Sequence, residues 1–246
     1  VVSALLSRVY FYQHNWDAVE SEATTVINSN NYSIVQNLNN VFKSNSNETI
    51  WQISLVENGA TPASVIGAEF IPAGTTPTFV FRDTLIRSFQ ANDKRKTDWT
   101  KSLMSAGTTY YYPTKYKVRA ATGTASGDEY PVMIRLAEVY LNRAEARANT
   151  NNLPGAIQDI NVVRQRAGVL LLPLTATKDD ILKALEHERW AELFTEFSDR
   201  WFNLKRLNKV KQMLQITKPT WQGDEKQLWY PVPTQGNQHL NFCPYC

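Results

Sequence analysis

The sequence predicts a mainly α fold of helical hairpins, with long irregular loops and a few short strands. Two stretches, residues 2–28 and 132–168, each have the pattern of two helices joined by a short polar turn. A third stretch, residues 181–206, contains no Gly or Pro and is dense in helix-forming residues. Between the hairpins, residues 50–130 carry repeated Gly and Pro, which indicates irregular loops.

The first hairpin is predicted from residues 2–14 and 16–28. Asn15, between the two segments, is a favourable N-cap because its side chain can accept a hydrogen bond from an early helical N–H. Apolar residues of the first segment recur three or four apart, so one side of that helix can pack against the second.

The second hairpin is predicted from residues 132–148 and from a helix that Pro154 begins and Gly168 ends. Asn152 precedes this last helix as Asn15 does in the first hairpin. The pattern therefore predicts a degenerate repeat of the tetratricopeptide type. Two hairpins are too few for a closed solenoid, so other elements must cover them.

The loop-rich part contains one clear strand signal. Ile50–Leu55 alternates from Trp51 onward, whereas residues 57–77 are punctuated by Gly and Pro, and residues 120–128 are predicted to be flexible. Long irregular segments in a compact domain are often functional. Four tryptophans in regular elements or among apolar neighbours are assigned to the core: Trp51, Trp190, Trp201 and Trp229.

Three carboxylates recur four residues apart in the third helical stretch, at Glu188, Glu192 and Glu196. Like charges at this spacing repel, so cations must lie nearby. We therefore predict a structural helix held by salt bridges, with a break at Ser198–Asp199.

The sequence of this helix also allows two chemical alternatives. Glu188 or Glu192 could serve glycoside hydrolysis, but carboxylates on one helical stripe rarely flank a bond from both sides. His187 and Glu188 begin like a zinc-binding helix, but Ala191 stands where the second His is required. Neither a metal nor a cofactor is predicted.

Composition is that of an ordinary globular chain. The 246 residues are 43% hydrophobic and 20% charged, with a net charge of +3 from scattered basic residues. No nucleic-acid surface and no membrane span are expected. Cys243 and Cys246 have the spacing of a redox motif, but that motif works at a helix N-terminus. A tail disulfide or two free thiols is expected instead.

These signals predict one domain over residues 1–246. Its predicted parts are hairpins near 2–28 and 132–168, a loop-rich insertion at 50–130, central helices at 178–215 and an extended tail at 226–246.

Six motifs, in chain order, resemble those of the SusD/RagB family. They are Asn15-Trp16-Asp17, Asn47–Trp51, Asn92–Arg95, Arg135–Ala146, the Glu188-Arg189 helix that continues to Arg206, and Leu228–Pro233. Leu240–Tyr245 also resembles a worn form of the family's closing motif.

The resemblance implies a surface lipoprotein that binds nutrients, usually glycans, without making or breaking covalent bonds in them. It implies a partner, a SusC-like TonB-dependent transporter in the outer membrane, which the helical-repeat surface would contact. Family members are longer, so we expect this chain to be the C-terminal portion, with the lipid anchor on a missing N-terminal part. The matched motifs are structural and carry over no binding residue.

A glycan site needs aromatic rings that stack on sugars and polar groups that bind hydroxyls. The loop aromatics meet the first need best, and the polar residues near them in sequence are Glu57, Asn58, Asp93, Arg95 and Asp98. Three consecutive tyrosines in an extended segment cannot all face one core, so at least one is expected to be exposed. The candidate ligand-binding residues are Phe70, Phe79, Trp99, Tyr110, Tyr111 and Tyr112.

Three functions remain open from the sequence. The first is a non-enzymatic glycan-binding protein of a nutrient-uptake complex. The second is a peptide-binding or scaffolding helical-repeat protein, which would bind no glycan. The third is a helical glycoside hydrolase, which requires a carboxylate of raised pKa in a cleft.

Overall fold

A computed structural model of the chain describes residues 1–54, 65–119, 129–197, 199–221, 223 and 228. The chain divides into two compact units, Val1–Arg200 and Trp201–Cys246. None of the helices in the described residues combines the length and the apolar composition that a membrane span requires.

The described residues form ten α-helices and one short 3₁₀ turn, Leu38–Asn40. The helices are α1 (Val2–Tyr12), α2 (Trp16–Asn28), α3 (Val65–Phe70), α4 (Asp83–Ser88), α5 (Lys94–Asp98), α6 (Leu136–Asn149), α7 (Leu153–Ala167), α8 (Lys178–Leu193), α9 (Asp199–Arg206) and α10 (Val210–Thr217).

Four strands in the described residues form two antiparallel pairs. β1 (Thr49–Gln52) pairs with β4 (Val132–Arg135), and β2 (Thr100–Ser105) forms a hairpin with β3 (Thr108–Pro113). The mainly α prediction, with hairpins and a few short strands, is confirmed.

The two helical hairpins begin their second helices in the same way. The side chain of Asn15 accepts a hydrogen bond from the N–H of Ala18, and that of Asn152 accepts one from Gly155. The residue before each cap, His14 or Asn151, has a positive φ. The same turn geometry therefore closes both hairpins, as the predicted repeat requires.

Helix α6 is the centre of the first unit. It packs against α1, α2, α7 and α8, and nearly all its side chains are buried. Ala137, Ala144 and Ala148 allow the close approach of α7, whose Ile157 and Ile160 fill the same core. Small residues on one helix thus match large ones on its neighbour.

Two local predictions are wrong, for one physical reason. Val132–Arg135 forms β4 instead of the first turn of a helix, because it pairs with β1 through Trp51 opposite Ile134. Trp51 is 38% exposed and does not belong to the core. Pairing between distant segments decides both outcomes, and local periodicity does not report it.

In the second unit, the rest of α9 and helix α10 contribute the buried side chains of Asn203, Leu204 and Val210. Trp201 is half-buried. The predicted core residue Trp229 and the cysteine pair lie outside the described residues.

Glu192 of α8 lies at the centre of a buried ion-pair network. Its carboxylate pairs with Arg135 at 2.6 Å, with Arg95 at 3.1 Å and with Arg166. None of these side chains is more than 1% exposed. Because the arginines come from α5, β4 and α7, one carboxylate ties three separate elements to α8.

Further pairs extend this network: Glu188 with Arg95 and Arg164, Glu196 with Lys115 and Arg135, and Glu48 with Arg135 and Arg166. All three glutamates of the predicted stripe are therefore neutralised by cations. The prediction of a salt-bridged structural helix is confirmed.

The turn after α8 holds Glu196 in this network at a conformational cost. Thr195 has φ 60°, a rare conformation for a β-branched residue, and Phe197 has φ 34°. The two oxygens of Glu196 bind Arg135 and Lys115. These bonds offset the strain and explain why the helix breaks before the predicted Ser198–Asp199.

We expect Glu192→Gln to lower the free energy of unfolding by about 3–5 kcal/mol, because it removes one charge partner from three buried arginines at once. Urea unfolding measures the change. The matched control is Glu186→Gln on the same helix. Glu186 lies 3.8 Å from Arg200 with both side chains about one quarter exposed, so a loss below about 1 kcal/mol is expected. Equal losses would contradict a network centred on Glu192.

The network also predicts acid sensitivity. Burial alone would raise the pKa of Glu192, but Arg166, Arg135 and Arg95 hold that pKa well below its usual value. As the pH falls through about 4.3, the unfolded chain takes up this proton before the folded chain does. Stability present at neutral pH is therefore lost on acidification.

Unfolding of the parent and of Glu192→Gln between pH 7 and pH 3 isolates this contribution, because other groups titrate in both proteins. Burial raises the pKa of Asp159 and Asp199, and these groups oppose the effect in both. The parent should lose more stability than the variant. Parallel pH profiles would show that Glu192 contributes no charge-dependent stability.

Candidate functional site

Trp99 belongs to the core, so its prediction as a ligand-binding residue is wrong. The side chain is fully buried, and its indole N–H donates to the carbonyl of Leu38 at 2.9 Å. Its ring lies against Phe42 and Phe194 and covers the ammonium group of Lys115 at 4.7 Å. Its polar sequence neighbours indicate a loop, but the indole packs against Arg135 and Arg166 of the ion-pair network.

The hairpin β2–β3 places the three tyrosines. In its register Tyr110 lies opposite Leu103, Tyr111 opposite Ser102, and Tyr112 opposite Lys101. Successive side chains alternate between faces, so Tyr110 and Tyr112 share one face and Tyr111 lies on the other. Tyr111 packs against the hydrophobic core. All three side chains are half-buried, so each keeps part of its surface exposed to solvent.

The hairpin itself was not predicted, although the sequence contains its signal. Ala106 and Gly107, both at positive φ, form the two-residue turn. Two short runs of Thr, Ser and aromatic or long apolar residues flank them. Gly at such a turn is the typical mark of a tight hairpin.

Residues 71–82, here called the strap, are hydrogen-bonded to β2, to β3 and to Arg119. Arg119 Nε donates to the carbonyl of Ile71 at 3.1 Å, and Thr76 Oγ1 lies 3.5 Å from Ser105 Oγ. At the far end, the N–H of Phe81 donates to the carbonyl of Tyr111 at 2.7 Å.

Phe81 anchors the strap through its ring as well. Its ring meets that of Phe194 edge to face, with centroids 5.2 Å apart. Phe194 directly follows α8 and is buried. The strap therefore ends on the same part of the core that the ion-pair network organises.

Phe70 and Phe79 close the strap at its base. Their rings meet edge to face with centroids 5.6 Å apart, although nine positions separate them in sequence. Phe79 is 43% exposed, and Val80 beside it is 47% exposed. We call Phe70, Phe79, Tyr110 and Tyr112 the aromatic surface.

The polar residues predicted near the site divide into three groups. Asp93 and Arg95 are buried and pair with each other at 2.8 Å, so they serve the core. Asp98 is half-buried at the end of α5. Glu57 and Asn58 lie outside the described residues. Lys101, opposite Tyr112, was missed because only the strand register brings it there.

The two glutamates on which the hydrolase alternative depends are not placed for catalysis. Glu188 and Glu192 are both fully buried and bound by arginines. The arginines hold the pKa of Glu192 low, whereas a general acid requires a raised pKa. Among the described residues, no group of acidic, His or Cys side chains could hold a metal ion.

A sequence model of the SusD family matches residues 88–235, more than half of the chain. The chain belongs to the SusD family. The matched range contains the β2–β3 hairpin, the second helical hairpin and α8 with its glutamates. The family predicted from the ordered motifs is thus confirmed.

Solved SusD-like structures share the fold. A SusD superfamily protein from Bacteroides vulgatus superposes with a TM-score of 0.76 at 21% identity, covering 96% of this chain and 59% of that one. Surface glycan-binding protein A from Bacteroides thetaiotaomicron, in complex with laminarihexaose, gives 0.66 at 20% identity, covering 87% and 55%. Its counterpart from Bacteroides uniformis gives 0.63 at 21% identity, covering 85% and 49%.

At these identities the similarity establishes the fold alone. This SusD-family chain spans between 49% and 59% of the length of these three proteins. No protein of curated function matches its sequence.

We expect Phe81→Ala to release the strap, because the variant loses the ring contact with Phe194. Amide hydrogens of residues 71–82 should exchange about tenfold faster, which corresponds to roughly 1.4 kcal/mol of lost opening free energy. Hydrogen exchange followed by mass spectrometry measures this. Phe79→Ala, which removes a more exposed ring, is the control and should change strap exchange less. If the two variants exchange alike, Phe81 is not the anchor.

Proposed function

We propose that this chain is part of a non-enzymatic glycan-binding protein that acts at the bacterial cell surface. The observation that carries the proposal is the aromatic surface, whose partly exposed rings lie on β3 of the hairpin, on the strap bonded to it and at the end of α3. Such rings suit the C–H faces of sugars, and a site on fixed elements binds without first being ordered.

Family membership and the relatives' names support this function. Proteins described as surface glycan-binding, one of them solved with a laminarihexaose, have the same fold. In the described part of this chain, Phe79 and the tyrosines of β3 offer partly exposed rings for such a ligand. The glutamates that could have supplied hydrolysis are instead buried in ion pairs, which favours binding over catalysis.

We also propose a location and a partner from the family. The protein would lie on the outer face of the bacterial outer membrane and deliver its glycan to a SusC-like TonB-dependent transporter. The transporter would contact the helical-repeat surface formed by α1, α2, α6 and α7. A lipid anchor, as the family resemblance implies, would attach the protein to that membrane.

Binding of the chain to a panel of oligosaccharides and polysaccharides, measured by calorimetry or affinity gels, tests the proposed function. We expect at least one glycan to bind. Phe79→Ala and Tyr112→Ala should each weaken that binding by roughly fivefold or more, because a stacked ring contributes on the order of 1 kcal/mol.

Trp51→Ala is the matched control. Trp51 is also a partly exposed aromatic residue on a strand, but it lies on β1 and not on the aromatic surface. Its variant should bind like the parent. Loss only in Trp51→Ala would move the site to the β1–β4 pair. Binding of a peptide but of no glycan would favour the peptide-binding or scaffolding function.

A further inference from the structure

The part of the chain that bears the aromatic surface is unusually basic. Residues 65–119 contain nine Lys or Arg and four Asp or Glu, whereas the whole chain contains 26 and 23. Ion pairs account for some of these: Arg95 with Asp93, Lys115 with Glu196 and Arg87 with Asp83. Among the described residues, this leaves the cations of Arg82, Lys94, Lys96, Lys101, Lys117 and Arg119 with the carboxylates of Glu69 and Asp98.

Lys101 lies beside the aromatic surface. It is the cross-strand partner of Tyr112, so the two side chains lie on one face of the hairpin. Their Cβ atoms are then about 4.5–5.5 Å apart. The Lys101 side chain is exposed. A sugar stacked on Tyr112 would therefore place its substituents within reach of this ammonium group.

Lys117 brings a second ammonium group to the same end of the hairpin. Its Nζ donates to the carbonyl of Asp98, next to the start of β2. Burial lowers the pKa of Lys117, the Asp98 carboxylate opposes this, and the charge of Lys101 lowers the pKa further. The two ammonium groups thus repel each other.

The carboxylates near Lys117 are already engaged. The two oxygens of Glu129 accept the backbone N–H groups of Lys117 and Val118. The hydroxyl of Thr97 donates to Asp98. Each carboxylate thus binds other groups and compensates the lysines in part.

Arg119 adds a third cation where the strap begins. Its Nε donates to the carbonyl of Ile71, which orients the guanidinium beside the strap. The side chain is exposed. In the described part of the chain its two terminal nitrogens have no bonded partner, so the fork remains available to an oxyanion.

We propose that the aromatic surface takes an anionic glycan, whose sugars carry carboxylate or sulfate groups. The sugar rings stack on Tyr112 and Tyr110, and the oxyanions bind Lys101, Lys117 and Arg119. An oxyanion between the two ammonium groups relieves their repulsion. This inference rests on the proposed function and specifies the class of its ligand.

The test compares each charged polymer with a neutral counterpart. The whole chain is titrated with polygalacturonate against a neutral galactan, and with dextran sulfate against dextran. We expect at least one charged polymer to bind about tenfold more tightly than its neutral counterpart, which corresponds to about 1.4 kcal/mol. Raising the ionic strength from about 0.05 M to 0.5 M should weaken that binding, because added salt screens exposed charges.

Variants locate the charge effect. Lys101→Gln and Lys117→Gln should each weaken binding of the charged polymer about threefold, and the double variant about tenfold. Lys183→Gln is the matched control, since Lys183 is exposed on α8. It should bind like the parent, and equal losses in all variants would mean non-specific attraction and overturn the proposal.

The remaining outcomes separate this inference from the proposed function. If a neutral polymer binds as well as its charged counterpart, and the lysine variants match the parent, the anionic class is wrong while glycan binding stands. If no polymer of either kind binds, the anionic class fails, and the wider panel of oligosaccharides and polysaccharides decides whether the proposed function fails with it. The titration with polygalacturonate tests recognition of carboxylates, and the titration with dextran sulfate tests recognition of sulfates.

Discussion

The ion pairs of the buried Glu192 carboxylate are the interactions on which the arrangement of the first unit around α8 depends. Its arginine partners come from α5, β4 and α7, elements far apart in sequence. A buried network of this kind is not by itself a large source of stability, because desolvation of its charges is costly. It does fix which elements can surround α8, since any other arrangement leaves a buried charge unpaired.

The same network supports the aromatic surface. Helix α5, which supplies Arg95, leads directly into β2. Lys115, just after β3, donates to Glu196 and to the carbonyl of Glu192. The residues before β2 and after β3 are therefore both bonded to α8 or to the turn that follows it, at the open end of the hairpin. Because Phe81 of the strap packs on Phe194, the strap is anchored to the core, and this contact would lower the entropic cost of binding at the proposed site.

Features set by local sequence were predicted well. Asn15 and Asn152 mark the helix starts, and the glutamate spacing on α8 indicates a need for cations. Features set by distant pairing were not predicted. Trp99 lies among polar residues in sequence, yet it is buried and its indole N–H donates a hydrogen bond to the carbonyl of Leu38. For the site, sequence reasoning found Phe70, Phe79 and the tyrosines, but it missed Lys101 and the strap contacts, which exist only through strand register and tertiary packing.

Hydrogen exchange of the whole chain, with and without a glycan that binds it, tests the central claim most directly. The account predicts that added protection is confined to the strap and to the β2–β3 hairpin, residues 71–82 and 100–113, while the helical hairpins exchange as before. Protection concentrated on α1 and α2, or on α6 and α7, with the strap unchanged, would contradict the account and place the ligand on the helical-repeat surface.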